Sequence, residues 1–383
     1  MDLVIEKARL DDVDELLKLY FEIYGADYPV KYGTDRTSMA HTISSEAYVW
    51  LVARDLEKNK IAGSVVFELD RADRVGKVSA AVVKPAYRGE SLATRMIGPM
   101  VEELLAEGIV DSMYTTVRTV SMAPQMIFIN CGFLSLGIFP NAHKLTDYET
   151  FTLFAKFRKG VLEKRKPIRT HGKLAPIYAV LNNELAERGM PMGSVTFDAP
   201  ALLPEEKSDV KFECINAPNH VKRLFQKTFT DPYDRFYPFH DPNTLIETPD
   251  GETQIWAHLS KGDGYCAIVN FGKPVYELRG MFRNLMRLLR EQGVSYIEVL
   301  ISVEHIRSIE VLIQSQFLPS ALYPAMMSRD GYPMDFVVMS RTVEPLNFRG
   351  ITIDSSFKPY MDQYVELWKK MHLETLEVFN DYE

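Results

Sequence analysis

Two stretches of this chain, one starting at Ile127 and the other at Val311, carry apolar and polar residues in the same order. Ile127-Phe128-Ile129-Asn130-Cys131-Gly132-Phe133-Leu134 falls on Val311-Leu312-Ile313-Gln314-Ser315-Gln316-Phe317-Leu318. At the same offset Ile138-Phe139-Pro140 falls on Leu322-Tyr323-Pro324, and Tyr148 falls on Tyr332. Upstream, the helix, glycine and strand of Val101 to Val117 meet those of Arg283 to Ile301. Identities are few, but the order of elements recurs along with the apolar class, which favours a duplicated domain. At about 150 residues per domain, a chain of 383 residues has room for two such copies.

Before residue 160 the periodicity alternates between two and 3.6. Leu3 to Ala8 reads as a strand, and Asp11 to Tyr24 as a helix with Val13, Leu16, Leu17, Tyr20, Ile23 and Tyr24 on one face. Strands follow at Tyr48 to Arg54, Ile61 to Leu69 and Gly76 to Val83. Leu92 to Glu107 is helical up to the C-capping Gly108; Ser112 to Thr119 is a strand. Ala123 to Cys131 is a short helix stopped by Gly132, and Thr150 to Phe157 is a strand. The order β-α-β-β-β-α-β-α-β predicts a mixed α/β sheet. After a Lys- and Arg-rich run, read as a solvated connector, Lys173 to Arg188 is helical and Pro191 to Pro204 is loop-like. A second α/β stretch includes a basic helix at Arg279 to Gln292 and a strand at Ser295 to Val303. His305 to Ser315 reads as a helix, Asp335 to Thr342 as a strand, and Phe357 to Phe379 as an amphipathic helix.

Charge and composition exclude several classes. A net charge of −8 disfavours nucleic acid as a main partner, because phosphate neutralisation needs clustered Lys and Arg. No apolar run is long enough for a membrane span, and the N-terminus lacks a signal-peptide pattern. Three widely spaced cysteines give no disulfide framework, so a cytoplasmic location is expected. The eight histidines show no ligand spacing, so no metal is expected. Hydrolase, NTPase and dinucleotide-binding motifs are missing as well.

The segment Val83-Lys84-Pro85-Ala86-Tyr87-Arg88-Gly89-Glu90-Ser91-Leu92-Ala93 runs from strand through loop to helix. A glycine-containing loop at a helix N-terminus directs several backbone N–H groups one way, at the positive end of the helix dipole. Such a loop suits a pyrophosphate, and Arg88 adds a fixed positive charge. Together with Gly132-Phe133 after the short helix, and the Tyr24-Gly25-Ala26-Asp27-Tyr28-Pro29 stretch, it resembles the GNAT acyl-CoA-dependent N-acetyltransferases. The Tyr24 to Pro29 stretch also resembles a two-part bacterial form of that family, in which a GNAT domain is followed by a degenerate one. The resemblance is specific over about residues 1 to 157 and fold-level over 211 to 343. It implies an α/β fold of tandem GNAT-like type: a GNAT domain at 1–158, a connector with a helix at 159–210, a degenerate copy at 211–345 and a helical segment at 346–383.

The resemblance implies that Arg88, Gly89, Glu90, Ser91, Leu92 and Ala93 cradle the pyrophosphate of acetyl-CoA. Ala81, Val82 and Val83 would hold its pantetheine arm, with Gln125 on the same arm or on an ordering water. The strand from Tyr114 would splay from the one ending at Val83. Four positions depart from the family pattern: Ser91 stands for a glycine, Phe128 for a tyrosine acid, Ser121 for an asparagine and Lys77 for a glutamate base. For chemistry, Glu68 is the candidate base, Tyr114 the candidate acid, and Ser121 a group that bonds the CoA arm or orients water. Cys131 reads as a small buried apolar residue. Tyr24, Tyr28, Tyr32 and Asp35 are candidates for an aromatic, acidic wall facing a cationic amine. The run Tyr233 to Asp241 occupies the corresponding place in the second half and suggests an inter-domain contact. The expected activity is acetyl transfer from CoA to a primary amine on a small molecule or protein, with a homodimer left open. The alternative is a CoA-binding regulatory protein with weakened turnover.

Overall fold

The computed structural model describes residues 2–25, 28, 30–89, 91–144, 147–200, 204, 206 and 208–373. The chain runs β1 (Leu3–Lys7), α1 (Val13–Tyr24), α2 (Arg36–Ser44), β2 (Tyr48–Asp55), β3 (Lys60–Asp70), β4 (Val75–Val83), α3 (Leu92–Ala106), β5 (Ser112–Arg118), α4 (Met122–Asn130), β6 (Leu134–Lys144) and β7 (Tyr148–Phe157). It continues through β8 (Ile168–His171), α5 (Ala175–Glu187), β9 (Val195–Asp198), β10 (Glu213–Asn216), α6 (Pro218–Thr228), β11 (Thr244–Glu247), β12 (Gln254–Ser260) and β13 (Tyr265–Asn270). The last elements are α7 (Phe282–Glu291), β14 (Tyr296–Ser302), α8 (Ile306–Gln314), β15 (Leu318–Arg329), β16 (Tyr332–Thr342) and α9 (Lys358–His372). Two compact units result: residues 1–115, 123–134 and 154–161 form the first, and 116–122, 135–153 and those from 162 onward the second.

In the first unit β1, β2, β3 and β4 pair antiparallel in sequence order. β5 then pairs parallel to β4 through Val75↔Ser112, Gly76↔Met113 and Lys77↔Tyr114. The Thr115 hydroxyl donates to the Val78 carbonyl at 3.0 Å, and no further register joins the two strands. Ahead of its last residues β4 slips register against β3 at Ser64/Val66, and Ala80 takes φ +49°. The core follows from the amphipathic pattern of α1. Val13, Leu16, Leu19 and Tyr20 pack with Met39 of α2, with Trp50 and Val52 of β2, and with Ile61, Val66 and Val82. Each such side chain removed from water contributes about 1.5–3 kcal/mol. The helix α2 was not expected, because only Met39 and Thr42 of its residues are buried. Its start is set by Asp35, whose carboxylate accepts the Ser38 N–H at 2.7 Å. The strand β6 was also unexpected. It is buried at nine successive positions, Leu134 through Ala142, so it offers no alternation to read.

In the second unit the strand order is β10-β11-β12-β13-β14-β16-β15, with β6 beside β15 at Gly137 and Ala321. Again one neighbouring pair is parallel, β13 with β14. β14 follows β5 at the offset seen in the sequence, and so do α8 after α4, β15 after β6 and β16 after β7. The stretch read as connector holds structure too, since β8 and β9 pair in parallel around α5. Of the expected C-terminal helix, α9 covers Lys358–His372, and the remainder to Phe379 lies outside the described residues.

One residue of the basic run contradicts its reading as solvated. Arg165 is only 2% exposed, and its guanidinium lies 3.2 Å from the fully buried Asp335 carboxylate. The Tyr178 hydroxyl donates to the same carboxylate at 3.2 Å. A buried charge requires such a partner, and this one lies 170 residues along the chain, where no local pattern signals it.

Candidate active site

The loop after β4 is tied down before it reaches α3. Lys84 N–H donates to the Ala62 carbonyl at 2.9 Å, and Pro85–Tyr87 make one turn of 3-10 helix. Tyr87 is buried and its hydroxyl donates to Asp55 Oδ2 at 2.7 Å. Asp55 also accepts the N–H groups of Glu57 and Lys58 at 3.1 and 3.2 Å. Donation from Tyr87, then these backbone bonds and the charge of Lys58, hold the Asp55 carboxyl below its ordinary range. Its contribution to stability is therefore present above about pH 4 and lost as pH falls through the lowered folded value. The sequence did not signal this anchor, because Asp55 and Tyr87 are 32 residues apart.

Beyond the anchor the backbone turns twice through the left-handed region. Gly89 has φ +90° and is open, with no heavy atom within 4 Å of where a Cβ would stand. Ser91 has φ +55° and caps the 15-residue α3. Leu92, Ala93 and Thr94 form the first turn of α3, so their N–H groups have no acceptor within the helix. Arg88 is exposed, and its Nε donates to the Val83 carbonyl at 3.2 Å. Glu90, expected in the same cradle, lies outside the described residues. An open loop with left-handed turns and free helix N–H groups fits a pyrophosphate. Ser91 pays for that geometry where a glycine would not. Ser91→Gly should raise stability by about 1 kcal/mol, read as a higher midpoint in urea unfolding.

Ala81, Val82 and Val83 end β4, with Val82 buried. The Tyr20 hydroxyl donates to the Ala80 carbonyl at 2.8 Å, and that of Tyr24 to the Ala81 carbonyl at 3.0 Å. Tyr24 and Tyr28 stack with centroids 4.3 Å apart and planes 9° apart, and Tyr28 stacks on Tyr20. Tyr32 meets Trp50 and Tyr48 edge-on. Its hydroxyl lies 2.8 Å from Ser79 Oγ and donates to Glu68 Oε1 at 3.4 Å. Burial first, and then neighbouring charge that includes Glu68, pushes the Tyr28 and Tyr32 hydroxyls up. Three of the four expected wall residues thus gather beside Glu68. Asp35 does not contribute, because its carboxylate caps α2.

Glu68 stands opposite Lys77 on β4, and Lys77 opposite Tyr114 on β5. The Lys77 ammonium lies 6.0 Å from the Tyr114 ring centroid, and Tyr114 is buried. Gln125 is fully buried in α4. Ser121 is exposed one residue before α4 and falls among the second unit's residues. Phe128 packs on Phe133 and Phe154 at 5.2 and 5.9 Å, so its position offers no hydroxyl. Cys131 is buried, and burial pushes its thiol up. The run from Tyr233 builds the second unit itself. Tyr237, Tyr265 and Tyr296 all donate their hydroxyls to the buried Glu298 carboxylate. Among the described residues no group of His, Cys, Asp and Glu is placed to hold a metal ion, and no helix is long and apolar enough to cross a membrane.

No curated protein matches the chain. Among solved structures, a GNAT-family acetyltransferase from Streptococcus pneumoniae is 21% identical, with 41% of this chain and 99% of that one covered and a TM-score of 0.36. Arabidopsis thaliana NAA60, solved with acetyl-CoA, is 13% identical over 42% of this chain and all of its own, with a TM-score of 0.37. The Vibrio cholerae spermidine N-acetyltransferase, solved with CoA and spermine, is 14% identical over 41% and 95%, with a TM-score of 0.35. The family model for the acetyltransferase (GNAT) family matches residues 11–133, a span that holds the tyrosine wall, the anchored loop and α4. The match supports a GNAT-type acetyltransferase domain at residues 11–133.

Proposed function

We propose that the first unit binds acetyl-CoA at Arg88–Ala93 and transfers its acetyl group to a primary amine held against the tyrosine wall. The observation that carries this reading is the pair of left-handed residues, Gly89 and Ser91, which bring the backbone onto the free N–H groups of α3. The pantetheine arm would run along Ala81, Val82 and Val83, where β4 and β5 have lost their register, and Gln125 would face it from α4. In the transfer, the amine nitrogen attacks the thioester carbon, the C–N bond forms and the C–S bond breaks. The proton lost by the amine ends on the departing thiolate. Glu68 is assigned the base, because it is the carboxylate beside Tyr28 and Tyr32. Tyr114 is assigned to protonating the thiolate, while Ser121, expected to bond the arm or order water, falls outside the first unit and is given no step. The tyrosine faces suit a cationic acceptor before it loses its proton. The recurrence of elements at one constant offset supports the second unit as a duplicated, non-catalytic copy.

The test is release of free thiol from acetyl-CoA with a panel of primary amines, run alongside calorimetric titration of CoA. Saturable CoA binding with amine-dependent thiol release is expected. Glu68→Gln should lower kcat by about a hundredfold with CoA affinity unchanged. An unchanged kcat would remove Glu68 from the chemistry. Phe128, which leaves the tyrosine position without a hydroxyl, favours the second reading, a CoA-binding protein without turnover. Tight CoA binding with no thiol release on any amine would establish that reading instead.

A further inference from the structure

Four strands of the first unit set one row of side chains on the same face of the sheet. Tyr48 of β2 stands opposite Glu68 of β3, Glu68 opposite Lys77 of β4, and Lys77 opposite Tyr114 of β5. Directly opposed residues share a face, so the row reads tyrosine, carboxylate, ammonium, tyrosine. Lys77↔Tyr114 is the last pair before β4 and β5 part, so the row borders the cleft assigned to the thioester.

Opposite charges on facing strand positions attract, yet Glu68 and Lys77 form no ion pair among the described residues. Each turns away from the other. The Glu68 carboxylate accepts the Tyr32 hydroxyl at 3.4 Å, on the side of the tyrosine wall. The Lys77 ammonium leans over the Tyr114 ring, 6.0 Å from its centroid, on the side of β5. Both residues are half-buried. An ammonium held there without a carboxylate carries a desolvation cost that an anion from outside would relieve. Two other carboxylates of this region are spent elsewhere. Asp70, next along the same side of β3, accepts the Ala72 and Asp73 N–H groups in the hairpin turn, and Asp35 caps α2. A diamine or polyamine would therefore meet one carboxylate and, beside it, a cation that repels its second charge.

We infer that the acceptor is a free α-amino acid, and that Lys77 is the residue that selects it. The amino group sits at Glu68 and the carboxylate at Lys77, two charges that an α-amino acid carries within one strand spacing of about 5 Å. The inference rests on the acetyl transfer proposed above and narrows its acceptor. The neutral amine forms the bond to the acetyl carbon, the C–S bond breaks, and the proton lost by nitrogen ends on the thiolate. The products are an N-acetylamino acid and CoA. The test is thiol release from acetyl-CoA by the full chain, with each common amino acid run beside the amine left when its carboxylate is removed. At least one amino acid should exceed its own amine by about tenfold or more in kcat/KM. Lys77→Met should raise KM for that amino acid by about tenfold, with a much smaller change in kcat, and so bring its kcat/KM down to that of the amine. Lys77→Arg should keep part of the preference, because a guanidinium also binds a carboxylate. A purely structural role for Lys77 would lower amino acid and amine alike. Thermal unfolding is the control for folding, and the preference of the unsubstituted chain tests the inference even if a variant fails to fold. The inference alone is overturned if amines without a carboxylate are acetylated as well as their amino acids, or if Lys77→Met leaves the ratio as it was. No thiol release with any amine overturns the acetyl-transfer reading along with it.

Discussion

Valine at position 89 will weaken CoA binding by about a hundredfold and leave the fold intact. Gly89 sits at φ +90°, a conformation that a β-branched residue adopts only with strain of about 1–3 kcal/mol. The loop would relieve that strain by turning its N–H groups away from the phosphates. The fold should be spared, because the position is exposed and no heavy atom lies within 4 Å of the added Cβ. Alanine should fall between glycine and valine. Calorimetric titration of CoA, with thermal unfolding as the control, reads both halves of the claim. Equal CoA affinity in all three proteins would mean that the turn at Gly89 does not shape a binding site.

The largest loss of stability is expected from Arg165→Met. Removing the guanidinium leaves the Asp335 carboxylate buried with only Tyr178 and the Ala325 N–H as donors. Breaking a buried pair from one side costs about 3–5 kcal/mol, enough to remove a large part of an ordinary domain's stability. It also strips donors from the Leu162 and Pro191 carbonyls. Burial already pushes the Asp335 carboxyl up, against the pull of Arg165. Without Arg165 it moves further up. An acid whose folded value is raised favours the folded state at low pH and loses that advantage as pH rises through the folded value. Urea unfolding should therefore show the deficit of Arg165→Met shrinking as pH is lowered from 7 toward 5. A deficit that does not depend on pH would place the loss in packing rather than charge.

What could be read from the sequence follows from where each signal lives. Helix α1 announces itself because its buried residues recur at helical spacing, and α4, α8 and the strands beside them because the pattern occurs twice at a constant offset. The loop at Arg88–Ala93 was visible because glycine, arginine and a helix start fall within a few residues. Long-range contacts left no such trace. Tyr87 reads as a motif residue, but its bond to Asp55 exists only after β2 and β4 have been brought together. Arg165 looks like one cation in a basic run until Asp335 arrives from β16. Asp35 looked like part of an acidic wall because a capping carboxylate and a ligand carboxylate are the same residue type, and only the Ser38 N–H tells them apart. The run from Tyr233 looked like an interface because tyrosines are common there. Glu298, which binds three tyrosine hydroxyls including that of Tyr237, could not be connected to the run by spacing.

The central claim is that the turn from Arg88 into α3 is a pyrophosphate cradle, and a crystal structure of the full chain grown with CoA tests it most directly. The account predicts phosphate oxygens within hydrogen-bond distance of the N–H groups of Gly89, Leu92 and Ala93, and a pantetheine arm lying along Ala81 to Val83. Density for CoA elsewhere, with this loop and the end of β4 left without contact to it, would contradict the account.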